Sequence, residues 1–194
     1  MTSPLQTTMF NGVSDFYNGV ATRSLRFDYD SAPTLYKTPS ASSLTTWSWS
    51  AWFKLASTAN TQFNIFSADS SSTNYQNLAL NPNTHGALSW VNRPAGGQNQ
   101  QMITNQLFRD ISAWYHLVVV WDTTNSTEAD RSRMYLNGSR ITSFATNTQP
   151  NQNTESIVNT NIRHNVGSAY AEHSNNGNGF NGYIAEVYFV DRLA

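Results

Sequence analysis

The chain has 194 residues, no cysteine, 12% charged residues and a formal net charge of -1. One domain of that length buries its core without disulfides or metal, and the missing thiols exclude a disulfide framework, thiolate metal sites and a cysteine nucleophile. Lys37 and Lys54 are the only lysines and the nine arginines are scattered, so nucleic acid is excluded as a partner, and no apolar run approaches the ~20 residues of a membrane span.

Asn, Ser and Thr make up 67 of the 194 residues, which predicts a polar but nearly uncharged surface. Residues 1–22 read as an arm: the isolated aromatics Phe10, Phe16 and Tyr17 sit among Asn11-Gly12 and Asn18-Gly19 turn signals. The opening MTSPLQTTMF has neither a basic stretch nor an apolar one, so no signal peptide is expected and synthesis is expected in the cytosol.

From residue 23 to 194 the pattern becomes regular. In RSLRFDYD, Leu25, Phe27 and Tyr29 face one way and Arg26, Asp28 and Asp30 the other. In TTWSWSAWFKL, Trp47, Trp49, Ala51, Phe53 and Leu55 form one apolar face, with Trp52 the exception on the opposite side. WYHLVVVW (114–121) is apolar on both faces, as expected of a central strand covered on both sides. Met134-Tyr135-Leu136 leads into Asn137-Gly138, which predicts a type I′ hairpin because both central positions tolerate positive φ. In the closing FNGYIAEVYFV, Tyr183, Ala185, Val187 and Phe189 alternate with Ile184, Glu186, Tyr188 and Val190. Polar loops without helical periodicity separate these runs, and many short strands joined by turn-rich loops predict an all-β, two-sheet antiparallel sandwich.

Four stretches together resemble the laminin G-like branch of the concanavalin A-like lectin/glucanase superfamily: RSLRFDYD, TTWSWSAWFKL, AWYHLVVVWDTT with DRSRMYLNGSRI, and HNVGSAY with FNGYIAEVYFVDR. The hairpin and the closing strand carry the specificity. The wording SLRF, SAWYHLVVVWDTT and GYIAEVYFVD is similar to copies found in bacteriophages, marine ones especially, within tail fibres, spikes and other virion surface proteins. The resemblance implies a two-sheet jelly roll whose loops form a binding rim, and the absence of a carboxylate pair leads to the expectation of a binding or structural module that is not an enzyme. The resemblance also implies a location on the virion surface, with capsid or tail proteins, surface glycans and further copies of the chain as partners. A stand-alone carbohydrate-binding lectin is the alternative, and a glycan hydrolase a more distant one.

The chemistry bears on these alternatives. Glucanases of this fold need two carboxylates projecting from one strand into a groove. No Glu-x-Asp-x-x-Glu pattern occurs, and Glu186 stands alone in the last strand, which fits a structural carboxylate bonded to backbone or to an arginine. The histidines His85, His116, His164 and His173 lack metal-ligand spacing. Calcium is the one cofactor to consider, since hard cations take several oxygens from flexible loops. Asp122, Asn125, Glu128 and Asp130 form one candidate set and Asp28 with Asp30 a lesser one; the competing expectation pairs Asp130 with Arg131 or Arg133. Sugar binding needs an aromatic platform beside amides and hydroxyls. Trp90 with Asn92, Tyr75 with Asn77, and Tyr170 supply such combinations next to polar loops, against the competing expectation that Trp90 and Tyr75 are core residues and the asparagines turns. The arm would be a docking segment anchored by Phe10, Phe16 and Tyr17.

Overall fold

The computed structural model describes residues 23–31, 33–58, 62–81, 86–97, 99–169 and 179–194. Phe10, Phe16 and Tyr17 of the arm, and likewise His85, Tyr170 and His173, lie outside the described residues. Two antiparallel sheets face each other. The six-stranded sheet runs β1 (Leu25–Phe27), β13 (Gly182–Asp191), β3 (Thr46–Leu55), β8 (Trp114–Asp122), β9 (Ser132–Leu136) and β10 (Ser139–Arg140). The seven-stranded sheet runs β11 (Phe144–Thr148), β7 (Gln100–Leu107), β6 (Ala87–Arg93), β5 (Asn74–Asn81), β4 (Phe63–Ser71), β12 (His164–Val166) and β2 (Leu35–Lys37). The expected all-β jelly roll is therefore what the chain adopts.

The alternation in β3 is the backbone of the core. Trp47, Trp49, Ala51, Phe53 and Leu55 are all buried, while the residues between them are half-buried on the outer face. Trp47 stacks on Trp121 of β8 with ring centroids 6.2 Å apart, and Trp90 of β6 meets it edge-on at 5.8 Å across the sandwich. Such geometries add to what burial alone contributes. The β9–β10 hairpin follows its turn signal: Asn137 and Gly138 have φ of 49° and 82°, and Leu136 pairs with Ser139. Asn137 also extends the ladder, its N–H donating to His116 O and its Oδ1 accepting from His116 N–H, both at 2.8 Å.

Three local expectations are corrected. The first strand pairs only over Leu25–Phe27. Phe27 is buried and Tyr29 packs against Phe63, but Leu25 is exposed on β1, the edge strand of its sheet. The outer face of β8 is only partly covered; Trp114, His116 and Val118 are half-buried there and Val120 is buried, with Trp52 tilted against His116 at 4.9 Å. In β13 the strict alternation breaks at a bulge. Ala185 pairs with Trp52 but Tyr188 with Ser50, and Glu186 takes a φ of 49°. The extra residue shifts the phase, so Val187 and Phe189 join Ile184 on the inner side.

The last strand is fastened by Asp191, which accepts from Ser42 Oγ and Asn159 Nδ2 at 2.7 Å and from Ser43 N–H at 3.3 Å. The Ser42 bond first, then those from Asn159 and Ser43, holds its carboxyl below the usual value. Burial holds His164 below its usual value, in the neutral form; its Nε2 accepts from Asn159 N–H at 2.9 Å and its Nδ1–H donates to Ile162 O at 2.8 Å. A depressed histidine means that the unfolded chain binds more protons, so stability is present above about pH 6.5 and falls as pH drops below it. The melting temperature is expected to fall between pH 7 and 5, and His164→Gln to flatten that slope; an equal slope in the variant would remove His164 as its source.

Candidate functional site

Cross-strand partners share a face, so the sheet registers decide which polar residues stand together. On the outer face of the seven-stranded sheet one row runs Tyr36, Asn165, Ser67, Asn77, Val91 and Gln101. The next row brings Asp69, Tyr75 and Arg93 together. Asn77 Nδ2 donates to Asn64 Oδ1 at 3.1 Å, and Gln62 Nε2 donates to the same oxygen at 3.0 Å. Asn165 Nδ2 donates to Ser67 Oγ at 3.2 Å, and Arg163 Nε donates to Asn165 Oδ1 at 2.8 Å. Asn64, Ser67 and Asn165 are wholly buried and Asn77 nearly so, and Ser67 Oγ donates to Ser168 O at 3.1 Å, so these amides and hydroxyls satisfy one another beneath the surface.

Two tyrosines flank this buried network. The Arg163 guanidinium lies 4.0 Å from the centre of the Tyr36 ring, and Arg93 lies 5.9 Å from that of Tyr75. Each arginine leaves its ring oriented and adds donors beside it. The tyrosines belong to β2 and β5, three strand spacings or about 14 Å apart. What this face presents to solvent is the exposed Tyr36 ring and the half-buried Tyr75 ring, each beside an arginine: rings offer apolar surface to sugar C–H groups, and guanidinium donors pair with hydroxyls.

Of the residues singled out from sequence, Tyr75 and Asn77 stand together on this face. Trp90 and Asn92 do not. Both are inner-face residues: Trp90 is buried against Trp47, and Asn92 donates to Gln100 Oε1 at 2.7 Å inside the sandwich. The step from Leu78 to Trp90 in the register settles their side, because Leu78 is wholly buried in the core. Tyr36, Arg163, Asn165, Ser67 and Asn64 escaped the sequence reading. They come from β2, β4, β12 and the approach to β12, and only the strand order unites them.

The acidic loop is not arranged as a cation cage. Asp122 Oδ1 accepts from Thr124 Oγ1 at 2.6 Å and Asn125 Oδ1 from Thr127 N–H at 2.9 Å, each closing a local turn. Glu128 opens a 3-10 turn (Glu128–Asp130), and Asp130 pairs with Arg140 at 2.6 Å. Arg131 does not pair with Asp130 but donates to the carbonyls of Asn125, Ser126 and Pro150. Asp28 Oδ1 accepts from Asp30 N–H at 3.1 Å in another local turn. Among the described residues no three His, Asp or Glu side chains converge on one point, so these residues do not fit a calcium site. A chelator is expected to leave the melting temperature unchanged; a drop of several degrees would place a cation in the fold.

Among the described residues the Glu186 carboxylate, expected to bond to backbone or to an arginine, makes no hydrogen bond or ion pair. It is half-buried at the bulge, and its charge bears on His116, where burial nevertheless keeps the imidazole below its usual value.

Comparison with known proteins places the whole described sandwich. The fold is shared with the sialidase module "Ruminococcus gnavus IT-sialidase CBM40", at a TM-score of 0.58 and 13% identity over 82% of this chain and 94% of that one. Domains LG4-5 of the mouse laminin alpha1 chain match at 0.58 and 12%, over 88% of this chain and 41% of theirs. Full-length tailspike protein 2 of Escherichia coli O157:H7 bacteriophage CAB120 matches at 0.55 and 15%, over 86% of this chain and 22% of its own. No curated protein matches by sequence. A laminin G family model, described as the concanavalin A-like lectin/glucanases superfamily, matches residues 29–193. Since that match spans most of the chain, and a two-sheet jelly roll underlies it, the chain belongs to the concanavalin A-like lectin/glucanases superfamily, on its laminin G side.

Proposed function

We propose that the chain is a non-enzymatic surface component of a bacteriophage virion, in a fibre, spike or capsid decoration, whose jelly roll attaches to other virion proteins and binds host-surface glycans. The observation that carries the glycan part is the pair of tyrosines on the outer face of the seven-stranded sheet, Tyr36 exposed under Arg163 and Tyr75 half-buried beside Arg93. The virion part is supported by the phage-like wording of the sequence and by the tailspike that shares its fold. The non-enzymatic part is supported by the lack of the paired-carboxylate motif and by the two acids of the closing strand, of which Asp191 is tied to Ser42, Ser43 and Asn159.

Two measurements test this reading. Quantitative mass spectrometry of purified virions is expected to find the protein, with a copy number that tracks the major capsid protein for a decoration or a few copies per particle for a fibre or spike. Its absence would overturn the virion assignment and leave a free-standing lectin. On a glycan array the full chain is expected to bind, and Tyr75→Ala to weaken that binding about tenfold, the value of one lost aromatic platform of roughly 1.4 kcal/mol. Binding unchanged in Tyr75→Ala would move the glycan site off this face.

A further inference from the structure

Between β2 and β12 of one sheet and β13 of the other, the two sheets part and leave a groove of about 370 Å³. Trp49 and Phe66, buried and stacked at 5.3 Å, form its floor, and Leu35, Val166, Val187 and Phe189 form its walls. Leu35 is 50% and Phe189 40% exposed, so the groove opens to solvent. Its volume falls at the lower end of the roughly 300–1,000 Å³ of small-molecule sites. A docked protein would instead need about 800 Å² of its surface buried, far more than a concavity of this size provides.

The polar side chains around the groove are unequal. His164 uses both ring nitrogens within the fold, on Asn159 N–H and Ile162 O, and Asn159 Nδ2 is shared between Ser43 O and Asp191. Asp191 is itself held by Ser42, Ser43 and Arg192. Lys37 differs. It is exposed, and among the described residues its ammonium has neither a hydrogen bond nor an ion pair. The register sets Leu35 opposite Val166 and Lys37 opposite His164, so both take the groove side of β2, while Tyr36 between them faces outward with Asn165. Among the described residues no acid lines the groove. An apolar slot with one unpaired cation at its mouth is complementary to a molecule that is apolar along its length and anionic at one end.

We propose that this groove binds a small amphiphilic anion of the class of medium-chain carboxylates. The hydrocarbon tail lies on Trp49 and Phe66 between Val166, Val187 and Phe189, and the carboxylate meets the Lys37 ammonium at the mouth. The tail leaves water, while the head group keeps a partner and stays in reach of solvent, so no charge is buried unpaired. An inward-turned lysine on an edge strand has a competing structural role, because such a charge keeps other strands from adding to the edge. That role needs no ligand, so experiment separates the two.

Octanoate titrated into the full chain, followed by tryptophan fluorescence and calorimetry, is expected to bind saturably. 1-Octanol, the same tail without the charge, is expected to bind about fivefold more weakly, the worth of one exposed ion pair. Lys37→Gln is expected to bring octanoate to the level of octanol and to leave octanol unchanged. Leu35→Trp, at another exposed position, is expected to fill the slot and weaken both. No saturable octanoate binding would overturn the proposal and leave Lys37 as a guard of the edge. Equal binding to Leu35→Trp and the unaltered chain would overturn it by placing the ligand elsewhere, and equal affinity for octanoate and octanol would overturn the anionic class. A ligand-free dimer that Leu35→Trp breaks would assign the groove to a second copy.

Discussion

Trp47→Ala is expected to lower the free energy of unfolding by about 3–5 kcal/mol. Trp47 is wholly buried, and its ring is shared between both sheets. It stacks on Trp121 at 6.2 Å, meets Trp90 edge-on at 5.8 Å and lies 5.7 Å from Phe189. Its Nε1–H donates to Ser156 Oγ at 2.9 Å, and that hydroxyl donates in turn to Val158 O at 2.6 Å. Truncation therefore opens a cavity between three aromatic rings that the close-packed sheets cannot collapse to fill, and it strands a buried hydroxyl acceptor. Urea denaturation measures the loss. Trp52→Ala on the outer face, where the ring is only half-buried, is the comparison and is expected to cost clearly less. Equal losses at the two positions would mean that the outer face is as tightly packed as the core.

The contrast between those tryptophans was legible in the sequence, because β3 alternates without interruption over ten residues. The hairpin was legible for a different reason: Asn137-Gly138 satisfies a backbone requirement that few other pairs can meet. What escaped has physical causes. Asn92 is polar yet points inward, in line with Gln76 and Gln100. The rule that polar residues face water fails here because one end of each amide finds a partner inside, although Asn92 Oδ1 and Gln76 Nε2 have none among the described residues. Asn92 donates to Gln100, and Gln76 Oε1 accepts the N–H groups of Ile157 and Val158 at 3.1 and 2.9 Å. With that row turned inward, Trp90 lies in the core, as the expectation competing with a rim position had it. Tyr75 and Asn77 lie on the opposite parity of β5 and so on the other face.

The rest of the candidate site was not legible because it depends on strand order. β12 slots between β4 and β2, bringing Asn165 beside Ser67 although 98 residues separate them in the chain. No local pattern encodes such a crossing. The bulge at Glu186 was hidden for a related reason. A non-glycine residue at φ 49° carries no sequence mark, yet it turns Val187 and Phe189 inward and so decides which residues wall the groove.

Gly182→Ala is expected to cost about 3 kcal/mol or more, close to the Trp47 effect although it adds a single methyl group. Gly182 begins β13 and is paired on both sides, with Phe27 of β1 and Leu55 of β3. A Cβ built there would lie 2.0 Å from Lys54 O and 3.1 Å from Leu55 Cα, and 2.8 Å from the Phe180 ring. The first two are backbone atoms of a central strand, which cannot swing aside as a side chain does. Relief requires β13 to move away from β3, weakening the pairing that joins the closing strand to the rest of the sheet. Gly96→Ala separates this steric cost from a conformational one: it has positive φ but open space around it, so a loss of about 1 kcal/mol is expected. Chemical denaturation of both variants decides. If Gly182→Ala costs no more than Gly96→Ala, β13 has slack against β3, and the tight start of the closing strand is not what holds the sandwich shut.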